Sequence, residues 1–461
     1  LDAEGLSGRA VQPLLLRLAQ PASNESRRVM QDDRSRSFDA IIVGAGPAGS
    51  SAAILLARAG WSVALVEKQR FPRRKVCGEC IAASNLPLLE ALGIGAELDA
   101  LAGQPLQRMA MMHRGQAVMA ALPAADHPRH AWGRALGRET LDKLLLEQAR
   151  AAGVVVLQPW SVQALGGSAG DHHCEIRCVD SGEKDTLQAP VLIAAHGSWE
   201  ALPSGRNNRR FARRPGDLFA FKANFMGAGL AHGLLPVLSF EGGYGGMVVG
   251  DQGLLTLACC VRQDRLDACR SAAPGLNAGG VVEAMLMREC QGVNEALAGA
   301  ERRGAWLASG PIDPGIRLHD DDDLFRIGNA AGEAHPIIGE GMSMAIQSAW
   351  LLCAALLRPA SGEGAREDAQ WQARARKHYH AQWRRHFAPR LRLAAVFAHV
   401  AMRPAVCAPL LAGLSYWPSL LTQGARWAGK IRCAPDPASI AWLAAGLSGR
   451  SEATSLNKEI S

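Results

Sequence analysis

The first strongly patterned stretch is residues 38–43, Phe-Asp-Ala-Ile-Ile-Val, an apolar run with the length and branched content of a strand buried on both faces. It runs straight into Gly44-Ala45-Gly46-Pro47-Ala48-Gly49. Residues 50–60 follow as a small-residue helix closing on Gly60, and residues 62–66 predict a second strand that closes on Glu67. Together they make a βαβ unit of about thirty residues. A second strand–glycine–helix passage lies near residue 325, with a strand at 324–327, a glycine-rich stretch from Gly328 to Ala345 and a helix over 345–357. Residues 191–195 predict a further buried strand, ending at His196-Gly197, and Arg138 opens an amphipathic helix. From about 205 to 315 the pattern changes to alternation. Positions 219, 221, 223 and 225 share one aromatic and apolar face, while Lys222 and Asn224 occupy the other. Further strands are predicted at 234–240, 244–249 and 254–261.

The last hundred residues differ again. Residues 363–392 are charged and helical. Residues 393–421 are mostly apolar, with Arg403 their only Lys or Arg and with Pro404, Pro409 and Pro418 interrupting. The prolines and the length argue against a spanning helix. Three readings stay open: a cap over a substrate tunnel, a monotopic surface anchored by Trp417 and Trp427, or a pair of core helices. Residues 431–461 read as a mostly flexible tail with one short apolar helix near Trp442. Residues 1–36, with one short apolar run at 14–16, read as a flexible extension upstream of the natural start.

Composition narrows the class. The 461 residues suit two or three domains, and 48% hydrophobic with 20% charged residues excludes a disordered chain. The net charge of +7 favours an anionic cofactor, substrate or membrane surface, and is too diffuse for a nucleic-acid partner. The eleven cysteines are scattered, which argues for a reducing compartment, and no paired Cys/His spacing predicts a metal site. Cys77-Gly78-Glu79-Cys80 is a lone C-x-x-C, read either as a redox pair or as two ordinary thiols.

The glycine segment carries chemistry because strand, turn, helix and acid fall in the order a dinucleotide needs. Gly44 permits the tight turn, Gly46 lets the backbone approach a pyrophosphate, and Gly49 lets helix and strand pack closely. The helix start through Pro47 and Ala48 offers N–H groups and a positive dipole end to phosphates. Glu67 can accept from both hydroxyls of an adenosine ribose, which fits FAD or NAD and disfavours a 2′-phosphate. Two such helix mouths almost 300 residues apart make sense if one long cofactor spans them.

The pairing of Gly44–Gly49 and Glu67 with the 328–345 stretch resembles the FAD-dependent oxidoreductase superfamily. That superfamily holds para-hydroxybenzoate hydroxylase, ubiquinone-pathway hydroxylases, geranylgeranyl reductases and flavin halogenases. Residues 70–79 and 240–247 resemble its reductase and halogenase-like branch. The resemblance implies an α/β fold: a Rossmann-type FAD-binding domain in three pieces (37–110, 111–204 and 316–360), an inserted antiparallel-sheet substrate domain (205–315) and a C-terminal helical region (361–461). It implies FAD as cofactor, with Gly328, Asn329, Pro336, Gly339, Gly341 and Met342 at the ribityl chain and ring. Arg138 is expected at the phosphates, and Lys68, Arg74 and Cys77 on the cofactor side. Asn329 stands where the family carries an acid. His196-Gly197 stands where hydroxylases carry an Asp-Gly pair, which leaves NAD(P)H or an external electron donor open as reductant.

Substrate-side candidates are Lys222, Asn224, Tyr244 and His335, with His335 the best placed for acid–base work beside the flavin segment. The expected reaction is hydroxylation of a lipophilic or aromatic small molecule, of polyketide or quinone type. Reduction of a carbon–carbon double bond is the alternative, halogenation a third, since the W-x-W-x-I-P signature is not found, and a non-catalytic electron carrier the reading from another class. The expected location is cytoplasmic, with peripheral membrane contact through 393–430.

Overall fold

The computed structural model describes residues 36–198, 213–320, 323–358 and 366–456, with side chains to residue 446. The expected extension at 1–36 lies almost wholly outside the described residues. Five parallel strands form the first sheet in the order Phe325–Arg326, Val191–Ala194, Ala40–Val43, Val63–Val66, Val155–Leu157. The period-two alternation of a strand explains its two-sided burial. Ala40 and Ile42 face one core, built on the helices Pro47–Arg58, Arg138–Ala151 and Gly341–Leu356. Ile41 and Val43 face another, closed by the antiparallel strands Trp160–Ser168, Asp171–Cys178 and Lys184–Ala189.

The second sheet has eight strands. Leu218–Met226, Leu255–Arg262, Gly243–Val249 and Leu234–Phe240 pair antiparallel in that order. Phe221, Ala223 and Phe225 point into a core covered by the helices Gln263–Ala272, Ala278–Glu289 and Gln291–Leu297. Lys222 and Asn224 are buried on the opposite face.

Two more strands join this sheet. Arg108–His113 pairs parallel with Leu234–Phe240 and antiparallel with Gln116–Ala121. The expected boundary between residues 110 and 111 therefore falls inside a strand, and residues 108–121 belong with this second sheet. The pairing spans more than a hundred residues of sequence, and so left no local trace.

The C-terminal region is helical. One helix, Ala369–Ala401, continues through Pro389 and past the expected change at residue 392. Tyr379, Trp383, Phe387 and Ala394 pack on the core of the first sheet, and Ala398 and Ala401 pass into a separate cluster with Leu218 and Tyr244. The helices Pro404–Tyr416 and Ser419–Ala428 follow. A last helix, Pro437–Leu456, kinks at Gly446 and occupies much of the stretch expected to be a flexible tail. Among the described residues no single helix is long and apolar enough to cross a membrane.

Candidate active site

The strand Ala40–Val43 delivers the chain to Gly44, whose φ of +104° lies in the left-handed region. A Cβ at Gly44 would come within 2.6 Å of the Ala195 carbonyl, so this turn and the 195–196 backbone are packed directly together. A Cβ at Gly49 would stand 1.9 Å from the Gly44 carbonyl, which enforces the close helix–strand approach. Gly46 caps the helix Pro47–Arg58 without a side chain, leaving its positive end open. Glu67 is 3% exposed. Its carboxylate accepts from the Ala45 N–H at 3.0 Å, the Gln69 N–H at 2.9 Å and Arg73 at 2.8 Å.

Two guanidinium groups converge on this mouth. From the Cβ position of Gly46, Arg73 lies at 3.7 Å and Arg138 at 3.8 Å. Arg138 makes a bidentate pair with the fully buried Asp142 at 2.7 and 2.8 Å, one helical turn on, and Arg73 shares that carboxylate at 3.5 Å. Burial opposes the charge on Arg138, and the Asp142 carboxylate outweighs it, holding the guanidinium above its usual range. Arg73 carried no local signal, since it sits in an irregular loop among four other cations. Arg74, the neighbour expected on the cofactor side, instead reaches the Asn224 side chain at 3.4 Å and the Ala305 carbonyl at 3.2 Å. Lys68 is exposed, and Cys77 is half-buried, accepting from the Glu79 N–H at 3.4 Å.

The two glycine segments meet in space. A Cβ on Gly328, where φ is +59°, would lie 3.0 Å from the Ala48 side chain, at the start of the first helix. The Gly328 N–H donates to Ser348 at 2.9 Å. Asn329 donates to Ser198 at 2.8 Å and Glu333 at 3.3 Å, so the amide is held by polar partners where a carboxylate would meet Glu333 as a like charge. Beyond Pro336 the chain turns at Gly339, with φ +61°, into the helix Gly341–Leu356, and nothing lies within 4 Å of a Cβ built on Gly341. Met342 is buried under this turn. Lys430, from the C-terminal region, reaches the Gly339 carbonyl at 3.4 Å and the buried Glu340 at 3.4 Å, and Arg390 approaches Glu340 at 3.7 Å. Sequence reading singled out neither Lys430 nor Glu340, because their pairing spans ninety residues.

On the substrate side the structure joins two of the expected residues. The Tyr244 hydroxyl and His335 Nδ1 are 3.1 Å apart, with the rings edge to face. Burial raises the Tyr244 phenol well above its usual range, with Cys260 adding to the shift. Burial, and then the nearby His399, lower His335 to about 4. Lys222 is not part of this pair. Its ammonium, 1% exposed, donates to Glu79. Glu79 also accepts from Thr256 at 2.6 Å and from the Arg138 N–H at 2.9 Å, and Asn224 donates to Thr256 at 2.7 Å. Lys222 and Asn224, expected on the substrate side, thus clamp the second sheet to the helix that carries Arg138.

Residues 37–204 match the FAD binding domain family. This stretch therefore carries an FAD-binding domain. It is 28% identical to conditioned medium factor receptor 1 of Dictyostelium discoideum over 71% of this chain and 64% of that one. It is 32% identical to menaquinone reductase of Mycobacterium tuberculosis over 38% of this chain and 41% of that one. The matched regions thus span less than two thirds of either relative. In fold it resembles the myxobacterial chondrochloren halogenase CndH, with a TM-score of 0.65 at 17% identity over 89% of this chain and 96% of that one.

The cradle fits FAD. The open helix end at Gly46 and the paired arginines suit a pyrophosphate, and the Glu67 carboxylate at the strand end suits ribose hydroxyls. The turn from Pro336 to Met342, with free space at Gly341, would take the ring end.

Proposed function

We propose that the protein is an FAD-dependent monooxygenase that hydroxylates a lipophilic aromatic or quinone-like small molecule. The observation that carries this reading is the Tyr244–His335 pair, seated where the substrate sheet meets the turn at 336–338. Around it lie Leu218, Ala220, Ile312, Ile337 and Met402, an apolar wall that disfavours water. Burial keeps His335 neutral, so its free ring nitrogen can accept a proton while Tyr244 orients it. A phenolic substrate that gives up its proton here becomes electron-rich at the ring carbons that oxygen attacks. FAD, when bound, supplies the two-electron chemistry.

Similarity to menaquinone reductase favours a second reading, hydride transfer to a carbon–carbon double bond with the same pair donating the proton. Oxygen uptake by the FAD-loaded enzyme separates the two. Alkylphenols, prenylphenols and prenylated naphthoquinols are offered with NADH, NADPH or an external reductase as electron donor. Substrate-dependent oxygen consumption with a hydroxylated product supports monooxygenation. Anaerobic saturation of a prenyl side chain by dithionite-reduced enzyme, without oxygen consumption in air, overturns it in favour of reduction.

A further inference from the structure

We infer that the outer faces of the helices Pro404–Tyr416 and Ser419–Ala428 dock on the surface of an anionic lipid bilayer. Both helices seat their inner residues on one edge strand: Cys407 and Leu411 form a small core with Val118, and Leu421 packs against it. Thr422 donates to the Ala121 carbonyl at 2.7 Å, tying the second helix to the same strand. With those positions turned inward, the opposite stripes are left to solvent. Val406 and Leu410, one turn apart, are 46% and 47% exposed. Tyr416, Trp417, Leu420 and Trp427 are 78%, 64%, 54% and 60% exposed. Six large apolar or aromatic side chains on two short consecutive helices and the turn between them form no part of the core, and an exposed face of this size is unusual. Tyrosine and tryptophan are the side chains that favour the bilayer interface, where the ring is buried among chains and the polar edge stays wet.

Charge names the occupant. Between Asp368 and Asp436 the chain holds no Asp or Glu, while Arg392, Arg403, Arg426 and Arg432 are exposed. An apolar stripe whose own segment carries cations and no acid suits anionic head groups and is poorly suited to a second copy of itself, which would bring like charges together. Neither helix is long enough to span by itself, and the first meets Ala369–Ala401 at a bend of 103°, a geometry that suits a surface contact. The second helix also leads directly into Lys430, which lines a pocket with Cys80, Leu106, Leu122 and Leu235 and touches the Gly339 carbonyl. A docked bilayer would therefore lie at the rim of that pocket. This inference is independent of whether the reaction is oxygenation or reduction.

The test is flotation of the full-length, FAD-loaded protein with vesicles of phosphatidylcholine alone and of phosphatidylcholine with phosphatidylglycerol. Tryptophan quenching by brominated lipid is read in parallel. The expected result is binding to the anionic vesicles that weakens with added salt, with quenching. The variant Y416S/W417S/L420S/W427S should lose at least about tenfold in partitioning, and R403E/R426E should lose preference for the anionic vesicles. Both variants should keep bound FAD and an unchanged Tm, which separates lost docking from lost folding. Absence of binding to either vesicle overturns the proposal. So does equal binding by the serine variant, or concentration-dependent dimerisation that the serine variant abolishes.

Discussion

Tyr244 and His335 meet across 3.1 Å, and through them the substrate sheet touches the turn that leads to Gly339. Burial, with Glu333 nearby, holds the Tyr244 phenol protonated, and His335 is held neutral by burial. Tyr244→Phe should remove the orienting contact and lower kcat by about tenfold or more, while His335→Asn should lower it by about a hundredfold. Both losses should appear in kcat rather than in FAD content, measured by steady-state kinetics on flavin-normalised protein.

The same histidine predicts an acid limb in stability. Its native value of about 4 lies below the ordinary 6.5, so between those values the unfolded chain binds a proton that the native one does not. Its stabilising contribution is complete above pH 6.5 and is lost as the pH falls toward 4. His335→Asn should flatten this part of the pH–stability curve. Thermal melts of both proteins between pH 7 and pH 4 read the difference directly.

Lys222 and Glu79 form a buried charged pair, with Thr256 and the Arg138 N–H on the same carboxylate. Removing one partner strands the other in the interior. Lys222→Met and Glu79→Gln should each cost about 3 kcal/mol, and the double variant should cost less than their sum. Urea denaturation of the three variants checks this. Glu79→Gln should also weaken FAD binding, because Glu79 anchors the start of the Arg138 helix.

Arg73 and Arg138 divide the work at the phosphate end. Arg138→Ala should weaken FAD binding by about tenfold or more, and the loss should shrink at high salt. Arg73→Ala should have a comparable effect, although only Arg138 stands at the start of a predicted helix. Fluorescence titration of the apoprotein with FAD at two salt concentrations measures both.

What could be read from the sequence follows from how local each constraint is. Gly44, Gly46, Gly49 and Glu67 were legible because a strand, a turn and a helix start each require a residue type at a fixed offset. The alternation at 219–225 was legible for the same reason, and it placed Lys222 and Asn224 together on the face opposite Phe221, Ala223 and Phe225. It could not name their partners, since Glu79 lies far away along the chain. Arg74 was chosen over Arg73 because adjacent arginines in a loop look alike until the backbone aims them. The strand Arg108–His113 escaped the substrate sheet because its partner, Leu234–Phe240, is distant. The change to apolar residues at 393 suggested an end to a helix that tertiary packing carries on to Ala401.

The structure leaves room in the protein where the cofactor would need it. A Cβ on Gly46 meets nothing closer than 3.7 Å, and one on Gly341 meets nothing within 4 Å. Gly46→Ala and Gly341→Ala should therefore leave the apoprotein within about 1 kcal/mol of the parent in stability. Titrating FAD into these two apoproteins and the unaltered one is the decisive measurement. The unaltered chain should bind one FAD, and each alanine variant should bind it at least about tenfold more weakly at unchanged Tm. An unaltered chain that takes up no FAD, or alanine variants that bind it equally tightly, would contradict a cofactor stretched between these two glycines.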